Sequence, residues 1–170
     1  QCKGGTILTT PNEFIPDYTL NRNTYLLQSI RHGHKIHTVV REKNGTFYVT
    51  KKSLKLIDTA CKDMGSSYRT ATERAKQLLS GNKHKLPVVV GVDKEHQPYI
   101  MFPLFSPKSE HNIWVAYNAI THITDNKTFV TVTFHDEVQV DLPVLISSFN
   151  NQYVTSAMLF KAIYKHWHRF

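Results

Sequence analysis

TYLLQSIRHGHKIHTVVREKNGTFYV (residues 24–49) decides the fold. Three β-prone stretches, 24–30, 35–41 and 46–49, are separated by two turn signals. The first turn, 31–34, is built around Gly33. The second, 42–45, ends in Asn44-Gly45, a dipeptide suited to the positive φ of a tight hairpin. Links this short join strands that pair antiparallel, so the stretch predicts a meander.

Downstream the hydrophobic period changes. Leu54, Ile57, Cys61 and Met64 are spaced three, four and three apart, with Lys52, Lys55, Lys62 and Asp63 elsewhere around the wheel. The spacing predicts a helix with Thr50 as N-cap and Gly65 as its stop. Ser66-Ser67 then opens a second helix over 69–79 that ends at Gly81, and Thr70 and Glu73 have capping-box spacing. Strands resume at 86–91, 98–102, 112–117, 119–123, 128–134 and 138–142, with a turn at His135-Asp136-Glu137. The continuous run Val88-Val89-Val90 predicts a strand covered on both faces. Last comes a long helix whose apolar stripe reads Ile146, Phe149, Tyr153, Ala157, Phe160, Tyr164 and Trp167. Its wet face reads Asn150, Gln152, Ser156, Lys161 and Lys165. The class is therefore α+β: a mainly antiparallel sheet, two short central helices and a long C-terminal amphipathic helix. Residues 1–12, with Gly4-Gly5 and Pro11-Asn12, read as an irregular N-terminal segment. Residues 13–170 read as one domain, long enough to bury roughly two-thirds of the unfolded surface.

Charge supplies the first functional signal. Residues 22–85 carry 14 Lys and Arg against 4 Asp and Glu, whereas residues 93–141 carry 3 against 7. A concentration of cations in one half suits a surface that docks on phosphates, because each Lys or Arg beside a phosphate releases a condensed counterion. The expected partner is double-stranded DNA. No apolar run is long enough to cross a bilayer, so no membrane partner is expected. Two cysteines, Cys2 and Cys61, make no disulfide framework, which suits a reducing cytoplasm.

Two groups of residues are candidates for the contact. The first runs from Gly65 to Lys85. Ser66 and Ser67 offer hydroxyls and N–H groups at a helix start, Tyr68 a flat ring, and Arg69, Arg74, Lys76, Lys83 and Lys85 charge. The second is Arg31, Lys35, Arg41 and Lys43 with Lys51, Lys52 and Lys55. Strand alternation sets Lys35, His37, Val39 and Arg41 on one face. From the residues alone, a cap and a solvated face account better for the first group, and a Lys-protected sheet edge accounts equally well for the second. Two helices joined by Gly65-Ser66-Ser67 also have the length pattern of a helix-turn-helix, in which Arg69, Thr72, Lys76 and Gln77 would read the major groove. A rival class is a metal-dependent nuclease built on His32, His34 and His37, although no Asp or Glu stands at a ligand offset. There is no Ser/His/Asp order, carboxylate pair or phosphate-binding glycine loop. The sequence asks for no cofactor.

Specific residues point further. Phe47-Tyr48-Val49, Leu54, Ile57-Asp58, Cys61 and Gly65-Ser66-Ser67-Tyr68 resemble the bacterial competence transcription factor ComK family. So do Lys85-Leu86-Pro87-Val88, Phe102-Pro103 with Ser106, Ile113-Trp114, Leu142-Pro143 and Ser148-Phe149-Asn150-Asn151-Gln152, in the same order over residues 46–160. The resemblance implies a cytoplasmic, nucleoid-associated activator without catalytic residues. It would bind A/T-rich promoter boxes largely through the minor groove and backbone, as a dimer or tetramer. RNA polymerase and a proteolytic adaptor are its implied partners. The chain departs from the family at Arg69-Thr70-Ala71-Thr72-Glu73-Arg74, where a Gly-Arg-Lys-x-Gly-Thr stretch is expected, and at Thr155-Ser156, where Arg-Thr is expected.

Overall fold

The computed structural model describes residues 14–81 and 84–169. The N-terminal segment 1–12 and Lys83 therefore lie outside the described residues. The meander forms as read: β1 (Thr24–His32), β2 (Lys35–Glu42) and β3 (Gly45–Val49) pair antiparallel. Gly33 (φ +65°) and Gly45 (φ +136°) supply the positive φ values that the two turns need. Helices α1 (Ser53–Asp63) and α2 (Tyr68–Leu78) follow, then β4 (Val88–Val92), β5 (Pro98–Pro103) and β6 (Ile113–Ala116). These strands complete a six-stranded sheet of order β3-β2-β1-β6-β5-β4, every neighbour antiparallel. A separate sheet, β7-β8-β9, is formed by Ile120–Asp125, Val130–Phe134 and Gln139–Leu142. The chain closes with α3 (Ile146–Trp167). The expected α+β class holds.

Strand alternation sorts the layers. Trp114 lies opposite Leu27 and Pro103, and its neighbour Val115 lies opposite Leu26 and Phe102, so the two rows face opposite sides of the sheet. Tyr68 meets the Trp114 ring edge-on at 6.2 Å, which brings the start of α2 to that side. Phe149 of α3 meets Phe102 at 5.7 Å on the other. The small sheet joins the same core, where Phe134 stacks on Tyr25 at 5.3 Å. A second cluster (Ala75, Leu79, Leu86, Ile100, Leu159 and Ile163) joins α2 to α3 around the outer strands. The run Val88-Val89-Val90 is covered from both sides, as read: Val88 and Val90 belong to the main core and Val89 packs on the second cluster.

Four expectations are corrected. Thr50 does not cap α1. Its N–H donates to the Ile15 carbonyl (3.0 Å), fastening the residues before the meander to β3, and α1 begins at Ser53 without a side-chain cap. Thr70 and Glu73 form no capping box; Ser67 is the N-cap of α2, its Oγ accepting the Thr70 N–H at 3.0 Å. On α3, Gln152 (4% exposed) and Ser156 (0%) are buried rather than wet, while Tyr164 and Trp167 remain exposed. The buried seam runs through Phe149, Gln152, Ser156, Leu159 and Ile163. The cause is backbone chemistry: the Gln152 amide donates to the carbonyls of Lys85 (2.9 Å) and Pro103 (2.7 Å) and so satisfies two acceptors beneath the helix. Finally, the Lys35, His37, Val39, Arg41 row is not a solvent-facing basic surface. His37 and Val39 are buried and Arg41 is partly buried, because other side chains lie on this face, the Phe14 ring 5.2 Å from His37 and Tyr48 beside Arg41; only Lys35, at the turn, is exposed.

Candidate nucleic-acid interface

The α1–α2 corner is fixed by local hydrogen bonds. Gly65 adopts φ +80° and ends α1: the Gly65 N–H donates to the Lys62 carbonyl (2.9 Å) and the Ser66 N–H to the Cys61 carbonyl (3.0 Å). This is the Schellman pattern, and it needs a left-handed residue at Gly65. Four residues, Met64 to Ser67, then reverse the chain. The Asp58 carboxylate of α1 accepts the Tyr68 N–H at 2.8 Å and pairs with Lys62 at 3.0 Å. These contacts hold the carboxyl below its usual range, the Tyr68 N–H first and Lys62 second.

That geometry changes what several predicted residues can offer. Ser67 is engaged as a cap, and the Tyr68 N–H is taken by Asp58. The Tyr68 ring is partly buried against Trp114, and burial pushes its phenol pKa up. Ser66 and Arg74 line a groove between α2 and α3 whose floor includes Val89, Leu159 and Ile163. Arg69 is the freest cation of the corner, its side chain 88% exposed and only loosely paired with Glu73 at 3.6 Å. Lys76 is exposed on the same helix. Lys85 is tied into the fold: its Nζ donates to the Leu104 carbonyl at 3.4 Å, and its own carbonyl accepts from Gln152.

The second predicted group divides. Arg31, Gly33, His34 and Lys35 project from the β1–β2 turn, with Arg31 paired to Glu110. Lys52 and Lys55 are exposed at the start of α1. Lys51 is paired with Asp17 at 3.1 Å. Arg41 sits beside Tyr48, and desolvation lowers its pKa. Lys43 lies at the far turn of β2, beyond its end at Glu42. The two candidate groups are thus associated with opposite ends of α1, an 11-residue helix spanning about 16 Å.

Lys108 is a cation that the sequence reading missed. It belongs to the acidic half of the chain, so the regional charge balance hid it. Together with Lys52, Ser53 and Ser109 it lines a cleft of about 310 Å³ beside the turn end of the β1–β2 hairpin.

The histidines form a packed cluster rather than a ligand set. His32 stacks on His37 at 5.6 Å, and the Phe14 ring lies 4.7 Å from His32 and 5.2 Å from His37. Among the described residues, no three His, Cys, Asp or Glu side chains converge to hold a metal ion. Nor, among them, is any helix long and apolar enough to cross a membrane.

These features define an α+β domain with exposed cations on the β1–β2 turn, on the α1–α2 pair and on the last turns of α3, while Asp125, Asp136, Glu137 and Asp141 lie exposed in or between the strands of the small sheet. The chain belongs to the ComK family, whose model matches residues 15–167. One similar protein is the competence transcription factor of Bacillus subtilis (strain 168), 28% identical over 149 residues, covering 85% of this chain and 74% of the relative. No solved structure gives a significant match.

Proposed function

We propose that this protein is a DNA-binding transcriptional activator of the competence-regulator type. Residues 13–170 act as its single DNA-binding domain. It recognises A/T-rich promoter boxes through the backbone and minor groove. The observation that carries this reading is charge segregation by structural element. The stretch 51–81 holds seven Lys and Arg against three Asp and Glu, and residues 120–142 hold one against four. Cations docked on phosphates supply affinity through counterion release. Arg or Lys reaching a narrow A·T minor groove adds preference through its enhanced negative potential. The protein works as a dimer or tetramer in the bacterial cytoplasm, with RNA polymerase and a proteolytic adaptor as further partners. The family membership and the name of its relative support this assignment.

A second reading, major-groove insertion of α2, is favoured by the four-residue turn between two 11-residue helices. The Glu73 carboxylate on the exposed face of α2 counts against it, because it would meet a phosphate-lined wall.

The test is selection of bound duplexes at physiological salt, followed by a salt titration. Recovery of spaced A- and T-runs with a steep salt slope is expected. Equal, weak retention of A/T-tract and random duplexes would overturn the reading. Competition by a minor-groove ligand separates the two docking modes. Plasmid cleavage that a chelator abolishes would instead favour the nuclease class.

A further inference from the structure

We infer that the cleft beside the turn end of the β1–β2 hairpin, bounded by Lys52 on one side and Lys108 on the other, is a seat for a phosphate group. The inference rests on the DNA-binding reading and names the residues through which one backbone phosphate would be held.

Three segments far apart in sequence build the cleft. β1 and β2 contribute Ser29 and Ile36, the start of α1 contributes Lys52, Ser53 and Leu54, and the loop after β5 contributes residues 107–110. Its floor is rigid. The Ser53 hydroxyl is buried and lies 3.2 Å from Ser29 Oγ and 3.0 Å from Thr38 Oγ1, and Thr38 also donates to the Lys51 carbonyl at 2.7 Å. The loop on the other wall is equally fixed: Ser109 Oγ accepts the His111 N–H at 3.1 Å, and the Ser109 N–H donates to the Ser106 carbonyl at 2.9 Å.

The charge of the cleft is positive for a specific reason. Among the described residues, Glu110 is the one carboxylate on its lining, and Arg31 of the hairpin already pairs with it. No acidic residue occupies the first turn of α1. Lys52 and Lys108 are both exposed and, among the described residues, have no carboxylate on the lining left to satisfy. Two ammonium groups and hydroxyls around a space of about 310 Å³ suit a tetrahedral oxyanion better than an apolar guest or a cation. The neighbouring turn presents Arg31, His34 and Lys35, so a duplex lying on the hairpin would bring its backbone past the opening.

The test uses the full chain and two single variants, Lys52→Gln and Lys108→Gln, with Lys127→Gln in the β7–β8 turn as control. Each lysine variant should weaken A/T-tract and random duplexes by the same factor, about threefold to tenfold, and lower the salt slope by about one. The control should change neither. Inorganic phosphate, titrated into the wild-type chain, should shift the amide resonances of Ser53 and Ser109 saturably, and Lys108→Gln should remove that response. Phosphate shifts without any effect of the variants on duplex binding would keep the seat and assign it to a free phosphate rather than to DNA. Wild-type duplex binding that survives both variants unchanged, with no phosphate response, would overturn the cleft and leave the DNA-binding reading standing. A wild-type chain that holds no duplex would overturn that reading, and the phosphate titration alone would then decide the cleft.

Discussion

The Asp58 carboxylate, in the middle of α1, accepts the backbone N–H of Tyr68, the first residue of α2, at 2.8 Å. One side chain therefore ties the two helices together across the turn and places a negative charge at the positive end of α2. Replacing Asp58 by Ala removes a charge-assisted hydrogen bond and is expected to cost about 2 kcal/mol, measured by urea denaturation. Because the folded carboxyl is held below its ordinary value of 3.8, its contribution is present above that pH and disappears as pH falls through the lowered folded value. An Asp58→Ala variant as stable as the parent at pH 7 would contradict this role.

Gly65 ends α1 with φ +80°, and a Cβ built there meets nothing within 4 Å. The cost of Gly65→Ala is thus conformational rather than steric, about 1–2 kcal/mol in thermal or chemical unfolding. Asn tolerates left-handed backbone better, so Gly65→Asn should recover part of the loss.

His37 is 7% exposed, and its Nδ1 has no hydrogen-bond partner among the described residues. Burial lowers its pKa below the ordinary 6.5, and the neighbouring His32 and Lys35 add to the effect. The sign follows directly. As pH falls through about 6.5, the unfolded chain binds a proton that the folded chain resists, so stability drops on acidification. The melting temperature should fall between pH 7 and pH 5, and His37→Phe should flatten that decline.

Gln152→Leu exchanges a buried amide for a side chain of similar size and leaves the Lys85 and Pro103 carbonyls without their donor. A loss of about 2–4 kcal/mol is expected in denaturant titration despite the gain in apolar content. A neutral outcome would mean that water replaces the amide.

Alternating patterns and glycine-marked turns made the meander readable. Gly33, Asn44-Gly45 and Gly65 are strong because each marks a backbone conformation that few other residues adopt. Thr50 and Gln152 misled for one shared reason: each spends its hydrogen bonds on a segment distant in sequence, Ile15 for one and Pro103 for the other. Local spacing carries no record of such partners. The same holds at the candidate interface. The hairpin turn and the α1–α2 corner were legible from their bases, but Lys108 was not, because only the pairing of β5 with β6 brings its loop beside Lys52. Nor could sequence distinguish cations that face water from those that serve the fold, such as Lys85.

The amide of Gln152 acts as a pin in the long C-terminal helix. Rotating α3 by one residue would place Tyr153 over the two carbonyls and strand both. The azimuth of the helix is thereby locked by polarity instead of grease. Trp167, four turns further along, consequently closes the same end of the α2–α3 groove in every folded molecule.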